Sequence, residues 1–452
     1  MTLTADLDTE MIKVITYGTY DMLHYGHTRL LQRAKLLGDY LIVGVTSDDY
    51  DKTRGKINNQ QSLMERIEAV KNTGFADEII VEEYEGQKID DIKRLGVDIF
   101  TVGSDWEGHF DYLNEYCKVI YLPRTDGISS SLVRAEKRKL GIGITGFTAF
   151  VKKFIDEAKF VNGVNITGVY APGMNDMLKD KDLFFAGSYD ELLEKSDAVC
   201  VVSKPEKHYS DIMTALHAGK HVICESPVAM SAEECTELFR TAKERGLILM
   251  DAIKTAYSTA YSRLVLLAKS GKIGHIVSVD SVCTSLTDIE ADPGERWNTI
   301  CEWGPLGMLP VMQILGTDYS RKVFFTKFTD RNSNTDAFTK IDFVYPSAVA
   351  SVKVAKAAKS EGTLIVTGTE GYIYVPAPWW KTDYFEVRYE NQEKNSRFFY
   401  QLEGEGIRYE IVTFAKSVEL LKWDGGISES ESEAIAGVIG DFNERKDMIE
   451  FS

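Results

Sequence analysis

The sequence predicts an α/β protein in three parts. A doubly wound parallel-sheet domain is expected over residues 1–139, a second α/β nucleotide-fold domain over 140–255, and a C-terminal α+β domain with a mostly antiparallel sheet over 256–452. Three observations lead there. The chain has 452 residues, too many for one compact core. Short apolar strand runs alternate twice with helix-period segments, the pattern of parallel sheets with helical crossovers. From about Ala252 the texture changes to long β-rich stretches.

The elements follow in order. A first strand is predicted from Ile12 to Thr16, with a turn at Gly18 to Asp21. A helix is predicted from His27 to Leu37, because Leu30, Leu31, Ala34 and Leu37 share a face and Gly38 can close it. A buried strand runs from Tyr40 to Val45, and Ser62 with Glu65 forms a capping box for the next helix. Strands from Glu78 to Val81 and from Ile99 to Val102 flank a helix from about Lys88 to Leu95. A basic helix with Arg134, Lys137, Arg138 and Lys139 ends the unit. The second alternation has predicted strands at Leu140 to Thr145, Asn165 to Tyr170, Ala198 to Ser203, His221 to Glu225 and Leu247 to Asp251. A helix through Lys159, one capped by Ser188 with Glu191, one from Ser210 to Ala218 stopped by Gly219, and one capped by Ser231 with Glu234 separate them. The β-rich stretches are Phe343 to Val354, Thr363 to Val375 and Tyr384 to Tyr389.

Composition narrows the function. A net charge of −17 argues against a nucleic-acid binder, which neutralises phosphates with clustered Lys and Arg. It leaves room for a small nucleotide in a local positive pocket. The cysteines Cys117, Cys200, Cys224, Cys235, Cys283 and Cys301 are scattered without a CxxC pair, so reduced, mostly buried thiols are expected rather than disulfides or a zinc site. The acidic start MTLTADLDTE has no apolar core of a signal peptide, and no apolar run approaches the roughly 20 residues of a membrane span. A cytoplasmic protein without membrane or nucleic-acid partners is expected.

The most specific motif is Gly18-Thr19-Tyr20-Asp21 followed by His24-Tyr25-Gly26-His27, between the first strand and the first helix. Gly18 lets backbone approach a ligand, and the helix start offers free N–H groups to an anion. Two histidines three apart can donate to one set of phosphates and stabilise charge growing on leaving pyrophosphate. Three further clusters fall at strand ends or helix starts, where open α/β sheets bind ligands. They are Arg124-Thr125-Asp126-Gly127-Ile128-Ser129-Ser130-Ser131, Arg54-Gly55-Lys56 and Gly103-Ser104-Asp105-Trp106.

These residues carry a resemblance. Residues 12 to about 135, through ITYGTYDMLHYGH, GSDWEGHFD and YLPRTDGISSS, resemble glycerol-3-phosphate cytidylyltransferases of the HxGH nucleotidyltransferase superfamily. The resemblance implies CTP contacts from Thr19, Tyr20, His24, His27, Lys56, Asp105, Arg124, Thr125, Gly127, Ile128, Ser129 and Ser130. The family's substrate-phosphate lysines fall on Arg54 and Lys88; Arg54 departs from lysine but can still grip a phosphate, and His109 stands where lysine is usual. In the implied reaction a substrate phosphate attacks the α-phosphorus of CTP in line. Positioning and charge neutralisation by His24, His27, Lys56, Arg124 and Mg²⁺ carry the rate. No protein side chain is nominated as a metal ligand.

Residues 140 to 452 resemble the glucose–fructose oxidoreductase/inositol dehydrogenase family, through MTALHAGKHVICESP, AKSGKIGHIVSV and Gly406-Ile407-Arg408-Tyr409-Glu410. That family joins a Rossmann domain for NADH or NADPH to an open-faced β-sheet domain. The resemblance implies cofactor contacts from Gly146, Phe147, Thr148, Ser203, Pro205, Glu225 and Ser226, and a homo-oligomer, dimer or larger. Departures are plain. The run from Gly146 keeps only the first glycine of the fingerprint, and the literal match at Gly141, Gly143 and Gly146 overlaps a strand. The acidic residue expected after the second strand reads Ala171-Pro172-Gly173, which tilts the choice toward NADP. The Glu-Lys-Pro motif reads Glu225-Ser226-Pro227, and the Asp/His pair falls near Trp303 to Leu309, where neither type occurs. Two readings stay open: an active reductase in which Lys254 and Tyr257 polarise a carbonyl, or a retained fold without redox chemistry. Trp379 and Trp380, within Val375 to Thr382, read as a packed sheet-edge turn or as aromatic faces for a sugar.

Overall fold

The computed structural model describes residues 11–23, 25–53, 61–84, 86–123, 140–146, 148–161, 163–172, 183–286, 298–329, 335–400, 402, 404–423 and 425–452. The chain divides into two compact units, Met1–Arg138 and Lys139–Ser452.

The first unit has five strands, β1 Lys13–Gly18, β2 Tyr40–Thr46, β3 Glu78–Glu82, β4 Ile99–Gly103 and β5 Lys118–Leu122. They pair in the order β3-β2-β1-β4-β5, every neighbour parallel. Side chains alternate across a strand. Val14, Leu41 and Val43 therefore join one core with Leu31 and Val70 from the helices Tyr25–Lys35 and Leu63–Asn72. Ile15, Tyr17, Ile42 and Phe100 join another with Ile92 from the helix Gln87–Leu95. The sheet is covered on both faces, so it is doubly wound as predicted. Ser62 and Glu65 make their capping box.

The second unit starts with β6 Leu140–Thr145, β7 Val164–Tyr170, β8 Ala198–Val201, β9 His221–Glu225 and β10 Leu249–Ala252, all parallel in the order β10-β9-β8-β6-β7. The helix predicted from Ser210 begins earlier, at Pro205, because proline suits a first helical turn. A nine-stranded sheet follows, from β11 Ile276–Thr284, β12 Arg321–Phe328, β13 Asp336–Val344, β14 Val349–Ala355, β15 Leu364–Gly368, β16 Tyr372–Val375, β17 Tyr384–Arg388 and β18 Ser396–Phe399 to β19 Met448–Glu450. It is mixed: β11 pairs with β14 and β12 with β19 in parallel, and the other neighbours are antiparallel. The expected single runs from Phe343 and from Thr363 are each two strands, broken at Tyr345–Ala348 and at the Gly368–Gly371 turn. The helix Thr299–Leu315 lies buried against this sheet and continues through Pro305 and Pro310.

Candidate active sites

In the first unit β1 pairs with β2 on one side and β4 on the other, so the strand order reverses between β1 and β4. Ligands of open α/β sheets sit outside the carboxyl ends at such a point. Gly18 closes β1 and Gly103 closes β4, and both nominated segments start there. A cleft with about 380 Å³ of empty space is lined by Tyr17, Gly18, Thr19, Thr46, Lys88 and Trp106, among others. Among the described residues Lys88 is its cation. It is buried, ion-paired with Glu82, and its Nζ stands 4.7 Å from the Tyr17 ring and 5.6 Å from the Phe110 ring. Glu82 also accepts from Thr46 Oγ1 at 2.8 Å. The Tyr17 hydroxyl donates to Asp91 at 2.9 Å; burial, then the Asp91 charge, hold it in the phenol form.

The first helix spans Tyr25–Lys35, so His27 lies inside its first turn instead of opening it. The His27 ring meets the Tyr20 ring edge-on at 5.6 Å. Tyr20 has a left-handed φ of 54° and is 2% exposed. Its ring belongs to the core, so the expected CTP contact of Tyr20 falls to its backbone. Thr19 Oγ1 donates to Asp51 at 3.0 Å. His24, Arg54, Lys56, Arg124, Thr125, Gly127, Ile128, Ser129, Ser130 and the side chain of Asp105 lie outside the described residues.

Sequence reasoning missed Arg66. Fully buried, it donates to the carbonyls of Thr19 at 2.6 Å and Thr46 at 2.8 Å, and to Asp48 at 2.5 Å. It ties the segments after β1 and β2 together beneath the cleft. The signal was present: Arg66 shares a helix stripe with Leu63, Ile67 and Val70, where an unpaired arginine has no place.

In the second unit the strand order reverses between β6 and β8. Gly146 follows β6 with a φ of 92°, and a Cβ there would come within 2.4 Å of Ser203 N. Both the dihedral and the contact demand glycine. Gly141 and Gly143 lie inside β6, as the overlap with a strand suggested. Thr148 caps the helix Ala149–Ala158 through Phe150 N. Gly146 therefore presents bare backbone shortly before a helix start, a form that admits a dinucleotide pyrophosphate. Ser203 Oγ donates to Asp211 at 2.6 Å, and the buried His208 ring bridges the carbonyls of Ser203 and Pro227 at 2.8 and 2.7 Å. Phe147 lies outside the described residues. Gly146→Val is expected to abolish dinucleotide binding by the second unit, more than about a hundredfold in Kd, because strain and overlap each contribute about 1–3 kcal/mol. NADPH fluorescence titration measures this, with pyrophosphate release from CTP as the unaffected control.

Beyond β9 and β10 the nominated residues separate. Tyr257 is 8% exposed and its hydroxyl donates to the Asp251 carbonyl at 2.5 Å. It is a packing residue, which corrects its nomination for catalysis. Lys254 is partly exposed, and its Nζ pairs with Glu405 at 3.0 Å. Glu405 also pairs with Lys153 at 3.0 Å and Lys381 at 3.1 Å; burial opposes its ionisation, but the three lysines win and hold its carboxyl down at about 2. Trp379 is packed at 2% exposure. Trp380 is half-buried and meets Trp303 edge-on at 5.2 Å.

A second residue that sequence reasoning passed over is Glu410, in the first turn of the helix Ile407–Leu420. It has no exposed surface, and among the described residues both carboxyl oxygens lack a hydrogen-bond partner. Burial, with Glu225 and Asp251 adding and Lys254 opposing, pushes its carboxyl up to about 8. Glu225 is half-buried, its Oε2 is enclosed without a partner, and burial with the Glu302 charge lifts it to about 7.

Comparison with known proteins agrees with this division. The cytidylyltransferase-like family model matches residues 15–136. The model of the oxidoreductase family with an NAD-binding Rossmann fold matches residues 140–252. Glycerol-3-phosphate cytidylyltransferase of Bacillus spizizenii is 48% identical over 130 residues, 29% of this chain and all of that protein. The Staphylococcus aureus enzyme of the same name is 45% identical over 126 residues, 28% of this chain and 95% of that protein. Trans-1,2-dihydrobenzene-1,2-diol dehydrogenase of Oryctolagus cuniculus is 27% identical over 266 residues, covering 56% of this chain and 80% of that protein. A 3-ketoreductase from Actinomadura kijaniata, solved with NADP and TDP-benzene, shares the fold at 17% identity and a TM-score of 0.61, over 70% of this chain and all of that one. The chain thus belongs, through its first unit, to the glycerol-3-phosphate cytidylyltransferase family, and carries an oxidoreductase domain of the glucose–fructose oxidoreductase/inositol dehydrogenase type behind it.

Proposed function

We propose that the chain couples two steps on one metabolite. Residues 1–139 transfer a cytidylyl group from CTP, with Mg²⁺, to a phosphorylated sugar, ketose or polyol and release pyrophosphate. Residues 140–255 bind NADPH or NADH, and with 256–452 reduce a carbonyl. The product is a CDP-polyol of the CDP-glucitol or CDP-glycerol type, made in the cytoplasm by a homo-oligomer for capsule or cell-wall polymer synthesis. The observation that carries the transferase half is Lys88, a buried cation in a cleft at the β1/β4 crevice beside Thr19. It suits a substrate phosphate, whose charge can replace that of Glu82 as partner. In the other half the Gly146 turn offers the pyrophosphate cradle, and the loss of an acidic residue after β7 favours NADPH. Glycerol 3-phosphate itself has no carbonyl to reduce, so a ketose phosphate such as fructose 6-phosphate fits the pair of domains better.

A second reading has two observations behind it: Ser226 replaces the family lysine, and Lys254 is already held by Glu405. On that reading the second unit binds or assembles without redox chemistry. A mass-spectrometric product screen with CTP, NADPH and a panel of phosphorylated sugars separates the two. A CDP-polyol formed with NADPH consumption is expected. CDP-linked product from every substrate without any loss of NADPH or NADH absorbance leaves only the transferase.

A further inference from the structure

The second unit gathers three cations around one acid. Lys153 comes from the helix Ala149–Ala158 behind the Gly146 turn, Lys254 from the turn Lys254–Tyr257 after β10, and Lys381 from the turn Trp379–Lys381 after β16. Their Nζ atoms meet the Glu405 carboxylate at 3.0, 3.0 and 3.1 Å. Lys153 reaches both of its oxygens, Lys254 takes Oε2 and Lys381 takes Oε1. Three segments far apart in the sequence thus converge on one small anion. Lys254 follows β10 as Gly146 follows β6, so the cluster lies at the carboxyl edge of the sheet, where ligands of such sheets bind.

The charges do not balance. Three ammonium groups against one carboxylate leave two positive charges over, in a chain whose net charge is −17. Arg408, nearby in the sequence, pairs with Glu157 at 3.0 Å. Lys254 also acts on Glu225 and Glu410, but burial favours the neutral forms of both. Like charges held together repel unless an anion sits among them. A phosphate group, with up to about two negative charges and three strong acceptor oxygens, matches three lysines better than one carboxylate does.

Glu405 also holds its place under strain. Its backbone is left-handed, with φ 53°, between Gly404 at 57° and Gly406 at 92°. A side chain carries steric strain in that conformation, while the flanking glycines let the turn take another course. The Glu405 side chain is 36% exposed, so an anion from solvent can reach the lysines.

We propose that Lys153, Lys254 and Lys381 form the seat for a phosphate group of the reductase substrate, and that Glu405 is an internal stand-in which that phosphate displaces. This rests on the reductase reading and deepens it: the carbonyl compound arrives phosphorylated or CDP-linked, not as a free sugar.

Two measurements on the full chain test it. The first labels amines with an acylating reagent, reads each lysine by mass spectrometry and needs no turnover. Glu405→Gln leaves three like charges without their anion and lowers their affinity for protons, so labelling of Lys153, Lys254 and Lys381 is expected to rise at least about threefold. Inorganic pyrophosphate is expected to reverse that rise. Fructose 6-phosphate and CDP, added separately, tell a phosphomonoester from a nucleoside diphosphate, and so whether reduction precedes or follows cytidylyl transfer. Labelling in the variant that none of these anions lowers, or that NADPH lowers as far at equal concentration, overturns the proposal. The second measurement follows NADPH oxidation with the carbonyl substrate from the product screen. Lys153→Ala and Lys381→Ala are each expected to raise KM about tenfold with kcat little changed, because each removes a charge-assisted hydrogen bond to the phosphate. Glu405→Gln is expected to lower KM, because it removes the competitor for the seat. A cluster that only braces the fold would move all three variants the same way, since each breaks the same ion pairs, and that result overturns the proposal. An unmodified chain that oxidises no NADPH or NADH with any carbonyl overturns the reductase reading, and the labelling still decides whether the three lysines bind phosphate.

Discussion

The double variant His24→Ala/His27→Ala is expected to lose pyrophosphate release from CTP by at least about a thousandfold, because the two proposed donors to the leaving group are removed at once. The expectation follows from the reaction more than from the fold. In-line attack on an α-phosphorus leaves growing charge on pyrophosphate, and little covalent work falls to the protein. His27 sits in the first turn of Tyr25–Lys35, at the positive end of the helix, and its ring is steadied edge-on by Tyr20. Tyr20 is held in the core, so His27 has a fixed neighbour on one side. Alanine there also removes packing, and His27→Gln, which keeps a donor, separates the two effects. It is expected to recover part of the rate at the same melting temperature. Activity of the double variant within tenfold of the parent, in a coupled pyrophosphate assay, would remove the leaving-group role. NADPH binding by Lys139–Ser452, a separate compact unit, is the internal control.

What could be read from the chain was what local pattern encodes. The capping box at Ser62 and Glu65, the serine caps at Ser188 and Ser231, and the strand His221–Glu225 stand where the residues predicted them. Each depends on groups within a few positions of one another. The parallel pairing of β11 with β14 could not be read this way, since period-2 alternation is the same for both strand directions. Helix starts moved by two residues at Tyr25 and five at Pro205, where the apolar stripe begins later than the backbone turn. Lys88 was nominated by resemblance, but its ion pair with Glu82 and the rings of Tyr17 and Phe110 come from three other segments. Glu410 lay in plain view inside Gly406–Glu410, yet a glutamate in a first helical turn reads as an ordinary favourable charge. Only the fold shows that this one is sealed.

The burial of Glu410 makes the second prediction, and it needs no substrate. Glu410→Gln is expected to flatten the pH dependence of stability of the second unit between about pH 5 and 8. In the unfolded chain the carboxyl titrates near its ordinary 4.5, while the folded state holds its proton to about 8. Between those values the folded state binds more protons than the unfolded one, so stability falls as pH rises, by up to about 1.4 kcal/mol per unit for one such group. Below the lower value both states are protonated and nothing is lost; above the upper value the loss is complete. Glu225 and Asp251, raised to about 7 and about 6, slope the same way over narrower ranges and remain in the variant. The buried amide of glutamine lacks partners as the carboxyl does, but that penalty does not change with pH. The slope therefore isolates the proton, where the absolute stability cannot. Relative to the parent, the variant should gain about 1–3 kcal/mol on going from pH 5 to pH 8 in denaturant unfolding of Lys139–Ser452 within the full chain. Parallel curves for the two proteins would mean that Glu410 is ionised in the fold. Its charge would then have to be stabilised in place by Lys254, whose charge opposes the effect of burial.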